Sequence, residues 1–173
     1  MNLPNPQLIL LICLVALGLP CASHAGNTGS LFDARTAHAV GPELQRIFGP
    51  KSGGIRYDAR MIHAAQIAAE RAHRHSTEQC WHSVKNALVD AQVVSTRPTT
   101  EYAKEAGDEL QTKFGFTKIW VESPFDAPVG AVLVYGGRGA GHVEIRTATG
   151  FVSDFISATP SPRPLLGVYV KRS

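Results

Sequence analysis

The spacing of apolar residues changes character along the chain. Residues 8–19 form a nearly unbroken apolar run. From 57 to about 75, Met61, Ile62, Ala65, Ile67, Ala68 and Ala72 recur at three- and four-residue steps, which predicts an amphipathic helix. Ser76 and Thr77 then offer an N-cap, and a second helix is predicted from 78 to about 91, with Trp81, Val84, Leu88 and Ala91 on one stripe. A third covers 101–112 and stops near Gly115. Beyond Phe116 the segments 116–122, 131–135, 142–147, 151–156 and 166–171 are short, rich in Val, Ile, Phe and Tyr, and separated by Gly, Pro or Asp turns. Helices followed by about five closely spaced strands predict an α+β domain whose N-terminal helices pack on an antiparallel sheet.

The apolar run is too short to span a membrane, which takes about 20 residues. Small residues at Ser23 and Ala25 follow it, the pattern of a secretory signal cut after Ala25. The expected organisation is a signal peptide at 1–25, a loosely structured glycine-rich leader at 26–54 with one helical candidate near Pro42 to Phe48, and a domain at 55–173. The product is expected to be periplasmic or secreted, without membrane attachment after cleavage, and monomeric.

Composition narrows the partners. The 173 residues suit one domain. Seventeen basic against fourteen acidic side chains give a formal charge of +3, too mild and too scattered to indicate nucleic-acid binding. Cleavage after Ala25 would remove Cys13 and Cys21 and leave Cys80 as the single cysteine. Oxidising compartments usually hold cysteines in pairs, so a lone one is a buried small hydrophobe, an intermolecular link or a reactive thiol.

Position favours the third reading. In the first turn of the second helix, free N–H groups and the helix dipole would stabilise a thiolate at Cys80. Its own amide would be open to an oxyanion. A thiol nucleophile needs a base. His73, His75 and His82 flank Cys80 and are expected on exposed surfaces, His38 lies in the leader, and His63 sits within the first helix. His142 opens a strand directly after the glycine-rich loop 136–141, where it can face an open groove. That loop lacks the Gly-Lys-Ser/Thr of a phosphate loop, and His142-Val143-Glu144 lacks the cysteine ligands of a zinc deaminase, so neither cofactor nor metal is expected.

Residues 76–171 resemble the papain-like cell-wall hydrolases of the NlpC/P60 and CHAP superfamily. The matching pieces are Gln79-Cys80-Trp81-His82-Ser83-Val84-Lys85, Ala127-Pro128-Val129-Gly130-Ala131-Val132-Leu133, Gly141-His142-Val143-Glu144-Ile145 and Phe151-Val152-Ser153-Asp154. The resemblance implies a cysteine peptidase or amidase acting on peptidoglycan stem peptides, as a D,L-endopeptidase or an N-acetylmuramoyl-L-alanine amidase. Cys80 would attack the carbonyl, His142 would carry the proton, and a third group, at the place of Asp154, would orient the imidazole. Gln79-Cys80-Trp81-His82 is closer to the CHAP style than to the Asp-Cys-Ser-Gly of NlpC/P60. Strand alternation puts Glu144 on the face of His142, which makes it the alternative orienting carboxylate. Asp154 reaches that face only if the turn around 148–150 has an odd number of residues or a bulge. Tyr57, Gln79 and Trp81 are candidate oxyanion or substrate contacts. An antibacterial effector of the same fold, with an inhibitor or immunity protein as partner, and a non-catalytic wall-binding domain using Trp81 and Tyr135 are the rival roles.

Overall fold

The computed structural model describes residues 51, 52 and 54–173. The expected signal peptide, nearly all of the leader, its helical candidate and His38 lie outside the described residues. A two-stranded ribbon, β1 (Lys51–Ser52) and β2 (Ile55–Arg56), leads into helices α1 (Arg60–Arg71) and α2 (Cys80–Asp90). A 3-10 turn at Ala103–Glu105 runs into α3 (Ala106–Phe114). Strands β3 (Phe116–Ile119), β4 (Val132–Tyr135), β5 (His142–Arg146), β6 (Phe151–Val152), β7 (Ile156–Ser157) and β8 (Leu165–Lys171) follow. They form an antiparallel sheet in the order β3-β8-β4-β5-β6-β7. The expected α+β architecture, helices first and sheet second, is the one observed.

The helical stripes are the buried faces. Met61, Ile62, Ala65 and Ala68 of α1 and Trp81, Val84 and Leu88 of α2 join Leu133, Val143, Ile145 and Val168 of the sheet in one core. Helix α1 packs on α2, α2 crosses β5, and α3 packs on β3 and β8. Gly115 ends α3 at φ 71°, the left-handed turn that glycine takes without a Cβ penalty.

Three boundaries differ from expectation for physical reasons. Helix α1 is shorter than 57–75, because Tyr57 is committed to a bridge with Arg172 and the chain is extended at Ala72. The segment 151–156 is two strands rather than one, since the chain turns at Ser153 and Asp154; the sheet therefore has six strands. Helix α2 begins at Cys80, two residues after Glu78, because Glu78 takes a left-handed φ of 63° that no helix can continue. No side chain of the neighbouring sequence caps it.

Candidate active site

Helix α2 lies across β5, so its first residue meets the first residue of that strand. Gly141 makes the approach of β5 possible. It holds φ 79°, and a Cβ there would come 2.5 Å from the Tyr135 carbonyl oxygen and 2.7 Å from Lys104 Cβ. His142 follows, paired across the ladder with Tyr135, and Glu144 is paired with Leu133. Alternation then puts Tyr135, His142 and Glu144 on one face.

On that face a continuous polar chain runs from the thiol inward. The Cys80 thiol and the His142 imidazole stand close enough for each to act on the other's charge. His142 Nε2 is 3.4 Å from Glu144 Oε2, with the imidazole mostly enclosed and the carboxylate buried. The other oxygen, Oε1, accepts from Tyr135 Oη at 2.6 Å and from the Ser161 amide at 3.3 Å.

The electrostatics of the pair follow from these contacts. Burial works against the Cys80 thiolate, but hydrogen bonding and attraction from His142, together with the Val143 and Trp81 amides, pull the thiol below its ordinary pKa. Burial likewise works against the imidazolium, yet Cys80 and Glu144 raise His142 to about 9. Each partner favours the charged form of the other, which biases the two toward a thiolate–imidazolium pair. Burial, the hydrogen bond to Glu144 and its charge push the Tyr135 hydroxyl up, so it stays a donor.

Asp154 occupies a different place. The ladder Ile145↔Val152 and Arg146↔Phe151 leaves residues 147–150 in the turn, an even number, so Asp154 does not arrive on the His142 face. Its Oδ2 accepts from the Thr77 amide at 2.5 Å, Thr77 Oγ1 at 3.0 Å, Ser76 Oγ at 3.2 Å and the Gln79 amide at 3.3 Å. Oδ1 accepts from Ser153 Oγ at 3.0 Å. Burial opposes the carboxylate, but these donors hold it below the usual range. The expectation that Asp154 orients the imidazole is corrected: it ties down the loop before α2, doing from the distant turn between β6 and β7 what Ser76 and Thr77 were expected to do locally. The residue meeting His142 is Glu144.

The other candidates separate in the same way. Gln79 is exposed and lines a groove of about 360 Å³ beside Cys80. Tyr57 is wholly enclosed in the core and lines none of that groove, which removes it as an oxyanion or substrate contact. Trp81 lines the groove but is only 4% exposed, and its Nε1 donates to Thr100 O and Oγ1. Tyr135 is fully buried and serves Glu144. His63, His73, His75 and His82 are exposed. No group of three His, Cys, Asp or Glu side chains among the described residues could hold a metal.

Sequence reasoning missed the far wall of the groove. Residues 97–100 run beside α2 as a strap gripped from two sides. From α3, Glu109 accepts from the Thr99 and Thr100 amides and hydroxyls at 2.6–2.9 Å. Burial opposes the Glu109 carboxylate, but these four bonds hold its pKa well below the ordinary range. From α2, Trp81 and Lys85 reach Thr100, while His82 and Asn86 reach Arg97. The i,i+4 spacing of each pair on α2 is the only trace of this in the sequence.

No family model and no curated protein matches the chain. Among solved structures, it is similar to a chain of the type VI native effector–immunity complex Tae3–Tai3 from Ralstonia pickettii. The likeness has 26% identity and a TM-score of 0.54, over 64% of this chain and 98% of that one. The SeMet form of the complex aligns over 54% and 80% at 27% identity, with a TM-score of 0.45. The likeness extends over nearly the whole neighbour and agrees with the α+β architecture of the domain.

Proposed function

We propose that the chain is an antibacterial effector that hydrolyses amide bonds in peptidoglycan stem peptides, with Cys80 as nucleophile, His142 as proton carrier and Glu144 as the positioning carboxylate. The observation that carries this is the run Cys80–His142–Glu144, whose thiol end lines a groove, with thiol and imidazole shifted toward an ion pair. The resemblance of residues 76–171 to NlpC/P60 and CHAP hydrolases supports the substrate class. Similarity to a chain of an effector–immunity complex supports the effector role and an immunity protein as partner.

The chemistry follows from the pair. The Cys80 thiolate adds to the amide carbonyl, and negative charge gathers on its oxygen. The Cys80 amide opens α2 and has no preceding helical carbonyl to bond, so it is placed to receive that oxygen. Collapse breaks the C–N bond, and the His142 proton goes to the leaving amine. Neutral His142 then takes a proton from water, which attacks the thioester; the C–S bond breaks, the acid leaves, and the Cys80 thiolate and protonated His142 are restored. Glu144 keeps the ring oriented and stabilises its charge at each protonated stage. The apolar run at 8–19 and Ala25 support export to the periplasm or beyond, and they also favour a second reading, a wall hydrolase exported for its own cell.

The test is mass spectrometry of muropeptides after digestion of sacculi with wild-type and Cys80→Ala protein. Wild type should release stem-peptide fragments whose new ends identify the bond, and the variant should release none. Equal release by both would remove Cys80 from the mechanism.

A further inference from the structure

On the reading that this is a stem-peptide hydrolase, we propose that Lys85 and Arg97 form a carboxylate-binding subsite in the Cys80 groove. The preferred substrate is then a peptide with a free carboxylate close to the scissile amide.

A buried cation forms part of the groove wall. Lys85 is only 6% exposed, yet it lines the groove. Its ammonium has three donors. One goes to the Thr100 carbonyl, and Nζ stands 5.0 Å from the centroid of the Trp81 ring. Neither a carbonyl nor a ring neutralises a charge. A buried charge is normally paired, because its lost hydration is recovered by an opposite charge. Among the described residues Lys85 makes no ion pair. Glu109 attracts it, but that carboxylate is occupied by Thr99, Thr100 and Lys113. Burial, then repulsion from Arg97, hold the Lys85 ammonium below the ordinary lysine pKa.

A second cation stands on the same wall. Arg97 Nε donates to Asn86 Oδ1 at 3.1 Å, and Nη2 lies 3.0 Å from His82 Nδ1. These contacts fix the plane of the guanidinium, and it too makes no ion pair among the described residues. Two cations that repel each other, one of them buried, are held together by the strap that Glu109 anchors. A carboxylate between them would relieve the repulsion and supply the missing charge. Glu78 and Glu101 also line the groove, but both are exposed and their charge is solvated.

The spacing sets the reach. Lys85 is five residues beyond Cys80 on α2, roughly 7.5 Å along the helix axis. An extended peptide covers that in about two residues. The carboxylate read by this subsite therefore belongs to a residue one or two positions from the bond that Cys80 attacks.

Binding separates this from the catalytic reading. Cys80→Ala protein is titrated by calorimetry with a synthetic stem tetrapeptide carrying free carboxyl groups, and with the same peptide amidated. The free acid should bind roughly tenfold tighter. Lys85→Met and, at the exposed partner, Arg97→Gln should each bring the two peptides within about twofold. Melting curves establish that Lys85→Met is folded, and Arg97→Gln carries the test if it is not. Equal binding of both peptides, or a preference that survives Arg97→Gln, would overturn the subsite. Failure of the hydrolase reading shows separately, as wild type releasing no stem-peptide fragments from sacculi.

Discussion

Two buried carboxylates flank the start of α2, and they do opposite work. Glu144 accepts few hydrogen bonds and stands beside an imidazole; Asp154 is saturated by amides and hydroxyls of the 76–79 loop. The first acts on the charge of the Cys80–His142 pair, the second on where Cys80 is held. Burial is nearly equal at the two sites, so burial alone does not distinguish a chemical carboxylate from a structural one. What distinguishes them is the partner: a titrating ring at one, fixed backbone donors at the other.

Breaking each side should separate the two effects. Glu144→Gln keeps the shape and removes the charge opposite the imidazolium. It should lower kcat by roughly two to three orders of magnitude while leaving the melting temperature within a few degrees. Steady-state hydrolysis of a stem peptide beside a thermal melt reads both. If Glu144→Gln retains full kcat, the ring is oriented by something else.

Asp154→Ala should act mainly on stability. It leaves the Thr77 and Gln79 amides without their acceptor, at a cost of about 2–4 kcal/mol by chemical denaturation. Its loss of activity should be smaller than that of Glu144→Gln in the protein that remains folded. A variant as stable as wild type but inactive would move Asp154 from the structural role to the chemical one.

The pH dependence of melting sharpens the contrast. His142 is raised to about 9 in the folded protein, above its ordinary 6.5. Its stabilising contribution is complete below about pH 6.5 and is lost as pH rises through about 9. Asp154 is depressed, so its contribution is present above the ordinary carboxylate pKa and is lost as pH falls through its lower folded value. His142→Ala should flatten the alkaline limb of a plot of melting temperature against pH and leave the acid limb. Asp154→Ala should soften the acid limb, which Glu109 and Asp58, also depressed, keep from vanishing.

Much of this arrangement is legible in the sequence because it depends on local pattern. The stripes of α1 and α2, the stop at Gly115 and the strands after Phe116 follow from spacing and turn residues. Cys80 at a helix start and His142 at a strand start stand out as chemistry-bearing side chains at element ends. The choice between Asp154 and Glu144 turns on the parity of one hairpin, and residues 147–150 do not announce how many of them sit outside the ladder. Helix α2 starts two residues later than its local sequence predicts, in a loop fixed by a carboxylate more than seventy residues away. Nor does Arg97-Pro98-Thr99-Thr100 look like more than a connection until Glu109 and α2 are seen to grip it.

His142 and Cys80 each hold the other toward its charged form, the thiol below and the imidazole above its ordinary pKa. The rate of Cys80 alkylation by iodoacetamide, followed against pH in wild type and His142→Ala, tests this most directly. Wild type should react along a curve whose midpoint lies below the ordinary thiol pKa of about 8.5, and His142→Ala should return the midpoint to that range or above. A wild-type midpoint at or above the ordinary value, unchanged by His142→Ala, would contradict the account.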